Sequence, residues 1–339
     1  MTVRLVTLRR ASGSSSFRIY TRKLEDALRA ARPDGAIEVT ELDMGGEGRR
    51  GGVIRPTLGH LFRGRPRDGS IWHATEPNTA LRGVDVVTIH DLYPFTVPGL
   101  MFRIFRSVLR RSARRARRIV VETEVVRADV RRYLGDAAWA KSRIVPPPFP
   151  TPPWGRAPDA YDLLWVGSLE RRKQPVRFLR QLAEAPAPRR RVAFLCHRGG
   201  FGDAAEVEQA VADARRAHAV EWITRDVSAG ELDRLYRSSR AFVSTSSLEG
   251  YHYPVMEAWS RGTPAVVPRI EPYVQIYGSV PGIHFYDPAG SFVPTADQAL
   301  DAPPYAPDAA LLRSVSREGV GAVLWSLYGE VEAERTGRR

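Results

Sequence analysis

Two acids stand eight positions apart in the run Ser247-Leu248-Glu249-Gly250-Tyr251-His252-Tyr253-Pro254-Val255-Met256-Glu257-Ala258. An apolar stretch, Ala241-Phe242-Val243-Ser244, precedes them and suits a strand. That spacing is a little over two helical turns. If Glu257 lies in the first turns of a helix and Glu249 on the loop feeding it, both carboxylates can face one cleft. The loop's backbone N–H groups and the positive helix end would face the same space. Such a place can hold an anion beside sugar hydroxyls, because N–H groups bind phosphate and carboxylates accept from hydroxyl donors. Taken alone, the acids read more simply as a solvent-facing pair at a helix start, where glutamate is stabilising.

A second charged run, Gly167-Ser168-Leu169-Glu170-Arg171-Arg172-Lys173-Gln174, follows the apolar segment Asp162–Val166. By itself it is a charged loop and helix start. Its chemistry would be to neutralise a diphosphate: Arg172, with Arg171 as the alternative, can fork onto two oxygens, and Lys173 can add a point charge. His90 closes a third apolar run, Val84–Ile89. A histidine there is often a hydrogen-bonded structural residue, yet the carboxyl end of a strand in an open α/β sheet faces the ligand crevice. No Asp-x-Asp triplet occurs and the seven histidines are dispersed, so no metal is expected.

The acidic run resembles the Glu-x7-Glu motif of retaining GT-B glycosyltransferases, specifically glycosyltransferase family 4, usually written E-G-F-G-x-P-x-x-E-A. Arg261-Gly262-Thr263-Pro264-Ala265-Val266-Val267 is similar to the family's continuation, and Leu232–Arg240 to the helix before it. Gly167–Gln174 resembles its G-x-L-x-x-R-K-N/G segment, and Val87-Thr88-Ile89-His90-Asp91-Leu92 its "vvtiHDl". The resemblance implies that Glu257 holds the donor's ribose and that Glu249 faces the donor sugar. It further implies that Gly167, Arg172, Lys173 and the backbone of Gly250, Tyr251, His252 and Tyr253 bind the donor, while His90 contacts the sugar or anomeric centre from the opposite domain. Gly13, in the first loop, would let backbone approach the donor phosphates or the acceptor. His252 stands where relatives most often carry the motif's second glycine, which puts the identity of the sugar in doubt.

Elements must place these residues. Alternating strand and helix patterns run from Met1 to about Leu134, then restart after Pro146-Pro147-Pro148-Phe149-Pro150-Thr151-Pro152-Pro153, a stiff linker. Repeated β-then-α order means parallel sheets with crossover helices. The expected fold is α/β of the GT-B kind: two Rossmann-like doubly wound parallel-sheet domains facing a central cleft. Residues 1–147 form the acceptor-side domain and residues 148–312 the donor-binding domain. A last helix, in 313–339, is expected to cross back to the first domain, with Val320, Val323, Leu324, Leu327 and Val331 on one side.

With 339 residues, 43% of them hydrophobic, two proper cores are affordable and wholesale disorder is excluded. The one cysteine, Cys196, excludes a disulfide framework and reads as a buried small hydrophobe. The first apolar run is too short for a signal peptide, and no stretch reaches bilayer length, which fits a cytoplasmic protein. The net charge of +13 is almost all arginine, since only Lys23, Lys141 and Lys173 are lysines. It points to anionic partners. Arg103, Arg106, Arg110, Arg111 and Arg114 lie on one helix with Met101, Phe102, Ile104, Phe105, Val108 and Leu109, a pattern suited to peripheral binding at an anionic membrane.

The sequence reading is therefore a metal-independent hexosyltransferase without a cofactor. It would take mannose or glucose from a nucleotide-diphosphate sugar to a hydroxyl on a lipid-linked or glycan acceptor. A same-fold epimerase or phosphorylase is the alternative. A basic nucleic-acid binder is a weaker rival, because no basic stretch interleaves with aromatics, and no nucleic-acid partner is expected.

Overall fold

The runs Ile71–Ala74 and Val86–Ile89 are buried at every position, as parallel strands covered on both faces must be. A computed structural model of the protein describes residues 1–9, 16–43, 68–79, 84–149, 155–185, 188–197, 204–249, 251–306 and 308–337. The chain divides into two units, residues 1–150 with 313–339, and residues 151–312.

The first unit begins with β1 (Thr2–Arg9), α1 (Ser16–Ala31), β2 (Ala36–Asp43), β3 (Ile71–Ala74) and β4 (Val86–Ile89). It continues with α2 (Leu100–Arg115), β5 (Arg118–Val121), α3 (Glu124–Leu134), α4 (Asp136–Ala140) and β6 (Ser142–Ile144). The second unit holds β7 (Tyr161–Ser168), α5 (Pro175–Ala183), β8 (Arg191–His197), α6 (Ala204–Ala217), β9 (Ala219–Ile223) and α7 (Ala229–Arg237). There follow β10 (Ser239–Val243), α8 (Tyr253–Trp259), β11 (Ala265–Pro268), α9 (Glu271–Tyr277), β12 (Ile283–Tyr286) and α10 (Val293–Asp301). The chain ends through α11 (Ala309–Val315) and α12 (Arg317–Thr336).

The first sheet is parallel throughout, in the order β2-β1-β3-β4-β5-β6. The second, also parallel, runs β12-β11-β10-β7-β8-β9. Read from its other edge it is the Rossmann order, with its reversal between β7 and β10. Ala241 of β10 pairs with Leu163 of β7, so the loops leaving these two strands flank the reversal. Beneath them Trp165 packs 4.9 Å from Phe194, and Phe178 stacks on Phe194 and Phe292 at 5.9 and 5.3 Å. Cys196 is buried, and that burial pushes its thiol up to about 12.

The last helix belongs to the first unit and packs on α1. Its buried stripe is Val320, Gly321, Leu324, Leu327, Tyr328 and Val331. Val323, expected on that stripe, is 48% exposed. Gly321 and Tyr328 shift the centre of the stripe toward Leu324, which leaves Val323 about 100° round the helix from it.

Tyr328 ties the helix to the sheet. Its hydroxyl lies 2.7 Å from Nδ1 of the fully buried His73, whose Nε2 is 2.8 Å from Thr88 Oγ1. Burial, helped by the charge of His90, draws His73 down to about 3. Since the unfolded histidine titrates near its ordinary value of 6.5, the neutral ring stabilises the fold above that pH and loses this contribution as pH falls toward 3. His252, also drawn down to about 3, acts in the same sense. The melting temperature is therefore expected to fall between about pH 6.5 and 4.5, above the carboxylate range, and H73Q should flatten that slope in a thermal melt series.

Candidate functional site

The loops leaving β7 and β10 meet at the reversal of the second sheet. After β7 the chain makes a 3-10 turn, Arg171–Lys173, then enters α5 through Gln174 and Pro175. Gln174 has φ 53°, the one positive φ outside glycine among the described residues. The family motif carries Asn or Gly at this position, residues that adopt the left-handed region most readily. Backbone stitches the two loops together. Ser247 N donates to Arg172 O at 2.8 Å, and Thr245 Oγ1 donates to Lys173 O at 2.9 Å. Trp165 Nε1 in turn donates to Thr245 Oγ1 at 3.1 Å.

These contacts close a charge cluster around Glu249, whose carboxylate is buried. Lys173 Nζ donates to Oε1 at 2.5 Å and Arg172 Nη1 to Oε2 at 2.9 Å. Arg172 is oriented from behind by Glu170, which accepts from its Nε at 2.6 Å. Burial alone would raise the Glu249 carboxyl. The charges of His252 when protonated, of Lys173 and of Arg172 outweigh it and hold Glu249 down at about 2. Burial lowers Lys173, against the pull of Glu249 and with help from Arg172. Arg171 points to solvent, so Arg172 is the arginine of this cluster.

Gly167, the last residue but one of β7, lies beside the Trp165 ring. A Cβ built there would fall 2.5 Å from that indole, which is itself locked against Phe178 and Phe194. G167A must displace Trp165, and with it the hydrogen bond to Thr245 that fixes the Lys173 backbone. We expect about 1–3 kcal/mol of lost stability by urea denaturation, together with weaker anion binding by calorimetry.

Glu257 lies on α8, eight residues beyond Glu249, where its Oε2 accepts from the Tyr236 hydroxyl of α7 at 3.0 Å. Burial, then the Glu257 charge, raises that phenol well above its ordinary range. Tyr251 is buried and meets Tyr253 edge to face at 6.0 Å. His252 is buried beside Glu249, with Nδ1 2.7 Å from the Tyr273 hydroxyl. The structure thus gathers Arg172, Lys173, Glu249 and His252 at one point. Gly13 and Gly250 lie outside the described residues. Glu170, Thr245 and Tyr273 were missed by sequence reasoning. Glu170, two places before Arg172, and Thr245, on the loop that carries Glu249, lay within reach of such reasoning, whereas Tyr273 arrives from α9.

In the first unit His90 follows β4. Its Nδ1 lies 2.9 Å from Glu122 Oε1 and its Nε2 2.9 Å from the Thr75 carbonyl. A carbonyl and a carboxylate only accept, so both nitrogens donate and the ring is an imidazolium. Burial opposes that state, but Glu122 and the Thr75 carbonyl raise His90 above its ordinary value. Any contact with a sugar requires one of these bonds to open. On α2, Arg103, Arg110 and Arg114 are exposed, whereas Arg106 and Arg111 are half-buried, Arg106 turning back to the Phe102 carbonyl at 3.2 Å. The core receives only Val108, Leu109, Ser112 and Ala113 of this helix. Met101 is 42% exposed and Leu100 is 73% exposed, since the buried residues of the helix lie in its second half.

Residues 152–304 match the family described as glycosyl transferases group 1. The second unit is a glycosyl transferases group 1 domain. Glycosyl transfer is the activity such a domain supports. No curated protein sequence matches the chain. Solved structures with the same GT-B fold include sucrose-phosphate synthase from Thermosynechococcus elongatus, with a TM-score of 0.72 and 14% identity, covering 98% of this chain and 100% of that one. HepE of Anabaena, solved in complex with UDP-glucose, has a TM-score of 0.67 at 11% identity, covering 98% and 99% of the two chains. The lipopolysaccharide outer core galactosyltransferase WaaB has a TM-score of 0.62 at 13% identity, covering 97% and 100%. In this group 1 domain the cluster around Glu249 sits at the carboxyl ends of β7 and β10, the position at which open α/β sheets bind ligands.

Proposed function

We propose that the chain is a retaining hexosyltransferase of family 4 type. It would carry mannose or glucose from a nucleoside-diphosphate sugar to a hydroxyl of a lipid-linked or glycan acceptor. The observation that carries this reading is the convergence of Arg172 and Lys173 on Glu249 at the sheet reversal within a group 1 domain. The complexes of HepE with UDP-glucose and with UDP and glucose support a nucleotide-sugar donor.

In this mechanism Arg172 and Lys173 meet the diphosphate's charge as the bond from the anomeric carbon to phosphate oxygen breaks. The sugar becomes oxocarbenium-like, the acceptor oxygen bonds to the anomeric carbon, and the acceptor's proton goes to the departing phosphate oxygen. In this reading Glu249 faces the sugar and Glu257 holds the ribose. Arg172 and Lys173 take the place of a metal ion.

The test is a calorimetric screen of UDP, GDP and ADP, followed by product analysis with the matching hexose donors in EDTA. Release of free sugar or sugar phosphate with every acceptor would instead identify a hydrolase or phosphorylase. Failure of all three nucleotides to bind would reject the reading.

Peripheral attachment would come from α2. Its exposed arginines, Arg103, Arg110 and Arg114, lie along the same helix as the exposed Leu100 and Met101, and no described helix is long and apolar enough to cross a membrane. Each arginine near an anionic surface contributes about 1 kcal/mol. The R110E/R114E double variant is therefore expected to bind phosphatidylglycerol vesicles at least about tenfold more weakly in a sedimentation assay. Equal binding by the variant would remove α2 from the attachment.

A further inference from the structure

His252 occupies the place where the resembled motif carries glycine, and its ring is only 3% exposed beside the Glu249 cluster. Its Nδ1 lies 2.7 Å from the Tyr273 hydroxyl, which is 3.0 Å from Ser244 Oγ. Ser244 Oγ accepts the Ser246 N–H at 3.4 Å. Nδ1 faces two hydroxyls that can donate, Tyr273 and, at 3.4 Å, Ser244, whereas Nε2 faces the Glu249 carboxylate, which only accepts, so Nδ1 is the accepting nitrogen. A neutral ring that accepts at Nδ1 carries its hydrogen on Nε2. Burial, with the charge of Lys173, keeps this ring neutral.

That Nε2 is buried without a hydrogen-bond partner among the described residues, and it lies 3.8 Å from Glu249 Oε1. The same oxygen receives Lys173 at 2.5 Å. Unpaired buried donors are rare because they forfeit the hydrogen bonds that water supplied. Glu249, Lys173, Arg172 and the Tyr273 hydroxyl are the charged or titratable groups around the ring among the described residues. Both cations are turned onto Glu249, whereas an incoming diphosphate needs them on its own oxygens.

We propose that His252 is a positioning residue that takes over Glu249 Oε1 when a diphosphate draws Lys173 and Arg172 away. The inference rests on reading Arg172 and Lys173 as the cations of the donor diphosphate. Anion binding then becomes an exchange of partners around a carboxylate that stays in place. A buried carboxylate stripped of its cations would otherwise take up a proton or swing out of position. The ring is a fixed post for this purpose, held by Tyr273 on one nitrogen and packed 6.3 Å from the Phe242 ring. Glycine at this position offers no such donor, so the device belongs to the histidine in this chain.

The test uses the full chain and whichever of UDP, GDP and ADP it binds most tightly by calorimetry. H252L keeps bulk and removes the donor, whereas H252Q keeps an N–H donor. H252L is expected to weaken the nucleotide about tenfold, the usual worth of a hydrogen bond to a charged group, and H252Q to restore most of the affinity. In an E249Q background, where no charge needs support, H252L should cost less than about twofold, because the two side chains act as one unit. Equal weakening in both backgrounds, or none in either, overturns the exchange while leaving the diphosphate reading intact. Undiminished affinity in K173A, or no nucleotide binding by the wild type, overturns the diphosphate reading and the exchange with it. Should H252L not fold, H252G makes the same comparison with the residue the motif carries.

Discussion

K173A is expected to lower kcat/KM for hexose transfer by about a hundred- to a thousandfold, the cost of removing one well-placed charge from a developing anion. Lys173 is mostly buried, its backbone is tied to Thr245, and its ammonium already touches a carboxylate, so its position is set before any ligand arrives. Preorganised charge of this kind needs no reorganisation when the leaving group departs, which is why its removal falls on kcat as well as on affinity. The substitution also strips Oε1 of Glu249 of its closest cation, leaving that carboxylate to Arg172. R171A provides the internal control. Arg171 lies next in sequence but points to solvent, so its loss should change kcat/KM by less than about twofold. Steady-state kinetics on the two variants, with thermal melts to show that each is folded, decide the matter. Comparable rates for K173A and the wild type would reduce the cluster to a structural ion pair.

How much of this was legible in the chain depended on the range of the interaction that fixed each feature. Ile71–Ala74 and Val86–Ile89 announced buried strands because each is a short run of apolar residues broken only once, by His73 or by Thr88. Ser142–Ile144 carried no such signal, since a three-residue edge strand buries only its first side chain. The helix Glu271–Tyr277 and strand Ile283–Tyr286 were passed over for a similar reason: both are short, and the helix has proline in its first turn. Within the site, motif spacing singled out Arg172, Lys173 and Glu249 as separate candidates. Their mutual contact depends on β7 and β10 being neighbours in the sheet, and local pattern does not encode sheet order. Likewise His252 could be seen as a departure from glycine, but its partner Tyr273 comes from another helix, 21 positions on. Val323 shows the limit of periodicity itself. Its apolar character suggested the buried stripe, whereas Gly321, with no side chain to read, marks a close approach of the helix to α1.

That approach gives the sharpest test of the first unit. A Cβ built on Gly321 would lie 2.0 Å from the Ala27 carbonyl oxygen and 2.7 Å from the Ala31 Cβ. Neither neighbour can rotate away, because one is backbone and the other a methyl fixed to it. Accommodating G321A therefore requires α12 and α1 to part. The separation would be felt by Trp325, whose indole donates to the Leu28 carbonyl at 2.9 Å, and by the Tyr328–His73 contact further along the helix. Overpacking of this kind costs about 1–3 kcal/mol, and the backbone clash puts G321A at the upper end. Gly329 lies on the same helix, exposed and with nothing among the described residues within 4 Å of a built Cβ. There alanine only removes the conformational freedom of glycine, so G329A should stabilise by about 0.5–1 kcal/mol. The two substitutions add the same methyl group to the same helix and are expected to move the urea midpoint in opposite directions. A shift of the same sign in both would mean that intrinsic helix propensity, rather than close packing on α1, governs the order of the last helix.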